Sequence, residues 1–299
     1  MHTRSLITIG LLLLTQDENQ LRPDPPIVCD ACDGWNRAQT PFRIFGNAYY
    51  VGVGGLSAIL VATDDGHILL DGGLPQSAAL IDANIRALGF RTQDIRLIVN
   101  SHAHFDHAGG IAALQRASRA TVAASPAAAE ALRTGRPTAD DPQFAYGGSF
   151  PAVGGLRVVQ DGETLSVGDQ EITVRFTPGH TPGGTSWTWR SCEGARCLDM
   201  VYADSLTAVS APDFRYTGDD THPSIVETFQ RSIDTVAALP CDVMVSTHPE
   251  FSNLFDKLGR RDRGIDPDAL IDAQGCREYA AGAAETLERR IAEEQSAAR

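Results

Sequence analysis

Three of the chain's eight histidines crowd into the stretch Ser101-His-Ala-His-Phe-Asp-His-Ala-Gly-Gly110. In an extended segment residues i and i+2 project to the same side, so His102 and His104 can grip one cation together. Asp106 and His107, where the chain turns into a helix, can reach a second. Neutral imidazole is the commonest metal ligand, and nitrogen and oxygen donors suit zinc. A lone loop histidine is usually solvated or packed; the spacing H-x-H-x-D-H at one turn is not explained that way. Two cations need more donors, and the sequence offers His180 in Phe176-Thr-Pro-Gly-His-Thr-Pro-Gly-Gly184 and His248 in Val243-Met-Val-Ser-Thr-His-Pro-Glu250. Each follows an apolar run and precedes a turn, where a side chain can face a cleft. Of the others, His2 lies in the N-terminal segment, His67 in a hairpin and His222 before a helix, and none is given a role.

Elements must hold these donors in place. The apolar run Ile95–Val99 reads as a buried strand, and Ile111–Leu114, after Gly109-Gly110, as the start of a helix. The cluster therefore occupies a strand-to-helix loop, where a rigid scaffold presents chemistry. His180 follows a strand over 171–176, and His248 one over 242–246. Before the cluster, strands are expected over 42–45, 49–51, 57–61 and 68–70, with a helix from Pro75 closed by Gly89. After it, strand and helix alternate to Arg133. The Gly- and Pro-rich stretch Thr134–Gly155 reads as a long loop carrying Phe144, Tyr146 and Phe150, able to pack on a substrate or on the body. Strands are then expected over 156–159, 163–167, 171–176, 185–189 and 200–203, a helix over 223–239, a strand over 242–246 and a final helix over 275–295. Two strand-rich halves closed by helices predict two packed sheets with helices outside. No short repeat or linker interrupts them, so residues 29–299 read as one domain.

Composition narrows the function. The formal net charge of −13 disfavours nucleic acid or an anionic membrane as partner, and 42% hydrophobic residues support a sizeable core. Arg4 followed by the apolar run Leu6–Leu14, too short to span a bilayer, suits a signal peptide. We expect it over residues 1–20, cut between 15 and 28, leaving a periplasmic protein free of the membrane; a buried N-terminal strand or helix is the other reading. Six cysteines in an exported chain predict disulfides: Cys29 with Cys32, Cys192 with Cys197, and Cys241 with Cys276 over a longer range. Cys29-x-x-Cys32 also has the spacing of half a structural zinc site, but no second close pair lies nearby.

The motif His102-x-His104-x-Asp106-His107, with His180 and His248, resembles the metallo-β-lactamase superfamily. The segments PFRIFGNAYYVGVGGLSAIL, GHILLDGG, ADSLTA and STHPEFSN are similar to the third subclass of its zinc β-lactamases, and the likeness runs from about Trp35 onward. It implies a mixed α/β fold, the four-layer αββα sandwich. It implies two Zn2+ per chain, one on His102, His104 and His180 and one on Asp106, His107 and His248, with Asp106 also the catalytic carboxylate. It places Ser205, where other subclasses carry a cysteine ligand, and Thr207, where relatives often have serine, on the substrate carboxylate. Asp204 is expected not to ligate, unlike the bridging aspartate of other hydrolases in the superfamily. Asp71 is expected to orient a ligand histidine or simply to make a turn. The implied reaction is hydrolysis of the β-lactam amide of penicillins, cephalosporins and carbapenems by a hydroxide held between the zincs, conferring antibiotic resistance, in a monomer. No Ser-x-x-Lys stretch supports a serine acyl-enzyme instead. The alternatives are a lactonase or thioester hydrolase of the same fold, and a non-catalytic periplasmic zinc-binding protein.

Overall fold

A short helix, α1 (Cys32–Trp35), leads into a seven-stranded sheet in which spatial order follows chain order: β1 (Phe42–Phe45), β2 (Ala48–Tyr50), β3 (Ile59–Thr63), β4 (Gly66–Leu70), β5 (Ile95–Val99), β6 (Thr121–Ala124) and β7 (Leu156–Val158). The first four strands pair antiparallel, β1 with β2 and β3 with β4 through tight turns and β2 with β3 through residues 51–58. From β4 to β7 the pairing is parallel, so each connection crosses over through helices: α2 (Ser77–Ala87), then α3 (Phe105–Ala108) with α4 (Ile111–Ser118), then α5 (Pro126–Thr134). The second sheet has the order β12-β11-β10-β9-β8, from β8 (Thr164–Val167), β9 (Gln170–Phe176), β10 (Thr185–Glu193), β11 (Arg196–Ala203) and β12 (Val243–Ser246). Helices α6 (Val226–Ala238), α7 (Leu254–Asp262) and α8 (Gly275–Ala297) complete the chain. The structure, a computed structural model, describes residues 21–297. The expected signal peptide over 1–20 lies outside the described residues.

Strands covered on both faces must be apolar on both, and here the period of two divides each strand between two cores. Ile59, Val61, Ile68, Leu70 and Val99 face the second sheet and meet Ile172, Trp187, Met200 and Val245. Leu60, Leu69 and Ile98 face the other way, onto Ile81, Ile85, Ile111 and Leu114 of α2 and α4. Across the molecule Val201, Ala203 and Met244 pack under Phe229 and Ile233 of α6 and Tyr279 and Leu287 of α8. The result is helices, sheet, sheet, helices, as the alternation of elements predicts. Each fully buried Leu or Ile in these layers contributes about 1.5–3 kcal/mol.

The structure differs from expectation at the short helix α1, at the β10–β11 hairpin and at α7. The β10–β11 hairpin runs to Glu193 and resumes at Arg196, longer than its apolar stretch, because Cys192 and Cys197 are register partners bridged by a disulfide. Helix α7 was not expected: its apolar face is short, with Leu254 buried, Phe255 and Leu258 partly buried against the core between the sheets, and the rest charged. The other cysteines pair as Cys29–Cys32 and Cys241–Cys276, the latter tying the approach to β12 to the start of α8. Among the described residues no helix is long and apolar enough to cross a membrane.

Candidate metal centre

The donors gather where strands end between the two sheets. After β5, Asn100 donates through its amide to the His102 carbonyl at 2.8 Å and to Asp71 at 3.2 Å. Asp71, at the end of β4 in the left-handed region (φ 59°), also accepts from the Ser101 amide (2.8 Å), the Ser101 hydroxyl (2.6 Å) and the Tyr202 hydroxyl of β11 (2.9 Å). One buried carboxylate thus fastens three strand ends beneath the cluster. His104 is extended at the N-cap of α3, and its carbonyl accepts from the His107 and Ala108 amides, which turns Asp106 and His107 inward. The turn presses so closely on the segment after β4 that a Cβ at Gly110 would collide with the Gly72 carbonyl.

His102, His104 and His180 each offer a ligand atom within 4.8 Å of the others, and so do His102, Asp106 and His107. His248 Nε2 lies 3.2 Å from His107 Nε2 and 3.4 Å from Asp106 Oδ2. All six residues singled out in the sequence therefore converge. Most rings are held from behind, as metal-binding imidazoles need to be. His102 Nδ1 donates to Asp204 Oδ1 (2.7 Å), His104 Nε2 lies 3.1 Å from Asp141 Oδ2, His180 Nδ1 donates to the Thr207 carbonyl (2.9 Å), and His248 Nδ1 to the Gly55 carbonyl (3.1 Å). His107 Nδ1 stands 3.9 Å from Asp71, too far for a hydrogen bond, so Asp71 positions the loop rather than that ring.

The donor chemistry fits a cation. His102 Nε2 is fully buried with no hydrogen-bond partner, although buried polar atoms are nearly always satisfied. Burial, and then the neighbouring His107, His104 and His180, hold the His102 imidazole well below its ordinary pKa; burial and His104 push His180 down to about 3. Both are neutral at pH 7, the form that binds metal. Burial opposes ionisation of Asp106, but the facing His107 and His248 outweigh it and keep the carboxyl well below its usual range. Asp204 runs the other way, pushed well above the carboxylate range by burial.

Ser205 is 2% exposed, its hydroxyl 2.8 Å from that of Thr247. The Thr207 hydroxyl sits 3.0 Å from His180 Nδ1. In the long loop Phe150 is buried among the residues under α5, while Phe144 and Tyr146 are 48% and 60% exposed, with the Tyr146 hydroxyl donating to the Ser210 carbonyl. Four contributors were not visible in the sequence: Asp141, Gln143 (its amide 3.3 Å from His180 Nε2), Gly55, and Trp35, whose ring lies 5.4 Å from that of His248. Their only signal was the placement of Asp141 and Gln143 in a loop too long to be idle.

Residues 51–248 match the family model of the metallo-β-lactamase superfamily. Among solved structures, the Rm3 metallo-β-lactamase superposes with a TM-score of 0.87 at 50% identity, covering 90% of this chain and 100% of that one. MEM-A1, a subclass B3 metallo-β-lactamase isolated from a soil metagenome library, gives 0.85 at 48% identity over 88% of this chain and 99% of that one. The N-acyl homoserine lactonase AttM of Agrobacterium fabrum is 31% identical over 206 residues, 62% of this chain and 73% of that protein.

Proposed function

The chain belongs to the metallo-β-lactamase superfamily, and from that premise we propose that it is a zinc-dependent β-lactamase. The observation that carries the reading is a gathered set of five histidines and Asp106 in a chain about half identical, over nearly its whole length, to subclass B3 enzymes. In this reading His102, His104 and His180 hold one zinc, and Asp106, His107 and His248 a second. Bound zinc supplies Lewis acidity and makes a water nucleophile available near neutral pH. Three protein donors per cation leave open positions, as catalytic sites do and closed structural sites do not. That disfavours a non-catalytic zinc-binding protein.

The chain's own residues divide the remaining work. Asp106, kept ionised, is the only anionic donor in the set; it orients the attacking water by accepting its proton in a hydrogen bond, and so is catalytic as well as a ligand. The substrate carboxylate falls to Ser205 and Thr207. A hydroxyl that accepts one hydrogen bond still has its own proton to donate. The His180 Nδ1 proton goes to the Thr207 carbonyl, which leaves the Thr207 hydroxyl beside it able to donate outward, and Ser205 can accept from Thr247 behind it and donate outward. The reading includes export: a signal peptide over 1–20 is removed, and residues 29–299 act as a monomeric periplasmic domain that confers antibiotic resistance.

A lactonase is the second reading, favoured by the likeness to AttM. It would use Asp204 as a bridge between cations, yet Asp204 Oδ1 lies behind the His102 ring, on Nδ1. The purified protein should hydrolyse a chromogenic cephalosporin, lose that activity to a chelator and regain it with zinc, and leave an N-acyl homoserine lactone intact. Lactone opening without cephalosporin turnover would reverse the assignment.

A further inference from the structure

We propose that Asp141 is a positioning residue of the metal centre, fixing the ring and the proton of His104 and so making the rim turn 138–147 part of the first metal site. The inference rests on the metal-centre reading above but not on the identity of the substrate. Asp141 is 5% exposed, and its two carboxylate oxygens lie 3.2 and 3.1 Å from His104 Nε2. A neutral imidazole carries one N–H. With that proton on Nε2 and donated to Asp141, the lone pair is on Nδ1. The ring edge that remains is packed at 4.9 and 5.1 Å, centroid to centroid, against the rings of His102 and His180. His102, His180 and His248 are held in the opposite sense, through Nδ1, which puts their lone pairs on Nε2. Of these four rings His104 alone is turned round, and the residue that turns it comes from the rim.

The rim is built to deliver that carboxylate. The Asp141 amide donates to the Thr138 carbonyl at 2.9 Å, and the Gln143 amide donates to Asp141 Oδ1 at 2.8 Å. The Pro142 carbonyl accepts from the Ala211 amide at 2.8 Å, pinning the turn to the segment beyond β11. A side chain serving only its own turn would not need to place both oxygens on an imidazole 37 residues away.

Long-range 1H–15N spectra of the labelled protein read the His104 tautomer directly. We expect the Nε2–H form with and without zinc, and a mixture with Nδ1–H in Asp141→Ala. Chelator competition should show Asp141→Ala binding its first zinc about 10–100-fold more weakly. Asp141→Asn, which keeps an acceptor oxygen, should recover part of that loss. A wild-type His104 protonated on Nδ1 overturns the proposal, and so does an Asp141→Ala protein with native circular dichroism and unchanged zinc affinity. Should the alanine variant fold poorly, the wild-type tautomer and the asparagine variant decide. Wild-type protein that binds no zinc overturns the metal-centre reading and this proposal together. Protein that binds zinc without cleaving β-lactams removes only the substrate assignment, and the variant comparison still decides.

Discussion

At the scale of single residues, Asp204 and Ser205 are neighbours with different work. Asp204 is buried, its carboxyl pKa is pushed well above the usual range by that burial, and its Oδ1 accepts from His102 Nδ1. Asparagine is a neutral shape-match that keeps the acceptor, so Asp204→Asn should retain two zincs after dialysis. A bridging carboxylate would instead release at least one, and the zinc content decides between them. Ser205→Ala should also keep both metals but lower kcat/KM by about 10- to 100-fold, because a hydrogen bond to a charged group is worth about 1.5–3 kcal/mol. Steady-state rates at saturating zinc are the check. The donors themselves were legible because H-x-H-x-D-H is a local pattern. The groups behind them were not, since they arrive from far along the chain: 102 residues separate His102 from Asp204, and 193 separate His248 from Gly55. No spacing rule spans such distances; only the folded strand ends bring them together.

Among the elements, α8 shows how a long helix is docked along a narrow apolar face, through Tyr279, Ala283 and Leu287. Its start is tied by Cys241–Cys276, and near its end Glu294, 6% exposed, accepts from the Tyr216 amide (3.0 Å), the Thr217 amide (2.9 Å), the Thr217 hydroxyl (2.8 Å) and Arg290 (2.7 Å). Burial alone would raise this carboxyl, but the Thr217 amide and the Arg290 guanidinium outweigh it and lower its pKa below 4.5. A folded-state pKa below the unfolded one means stability that is present above about pH 4.5 and lost as pH falls through the folded value. Glu294→Gln should therefore cost about 1–3 kcal/mol at pH 7 and less at pH 3–4. Urea midpoints measured from pH 3 to 7 would show it; an equal loss at every pH would mean that charge plays no part. The same helix was legible in the sequence from Gly275 onward, whereas α7 was not, because its apolar face of Leu254, Phe255 and Leu258 spans barely more than one turn.

For the whole molecule, alternation of strands and helices was enough to foresee four layers, because strands that read as continuous apolar runs must be covered on both faces. What alternation could not supply was the seam. His102, His104, Asp106 and His107 follow β5 of the first sheet, while His180 follows β9 and His248 follows β12 of the second. A metal bound there joins the two halves and stabilises only the folded chain, by about 2.7 kcal/mol at free zinc one hundred times its Kd. In a chain of this size that corresponds to a rise in Tm of about 4–5 °C, to be read by calorimetry at graded zinc concentrations. An unchanged Tm would mean that the folded chain binds no zinc in preference to the unfolded one. The same arrangement sets an order in time. As the polypeptide emerges, residues 102–107 come first, His180 much later and His248 later still. A growing or translocating thread thus never presents the complete centre, and its metal is acquired by the assembled protein, in whichever compartment folding ends.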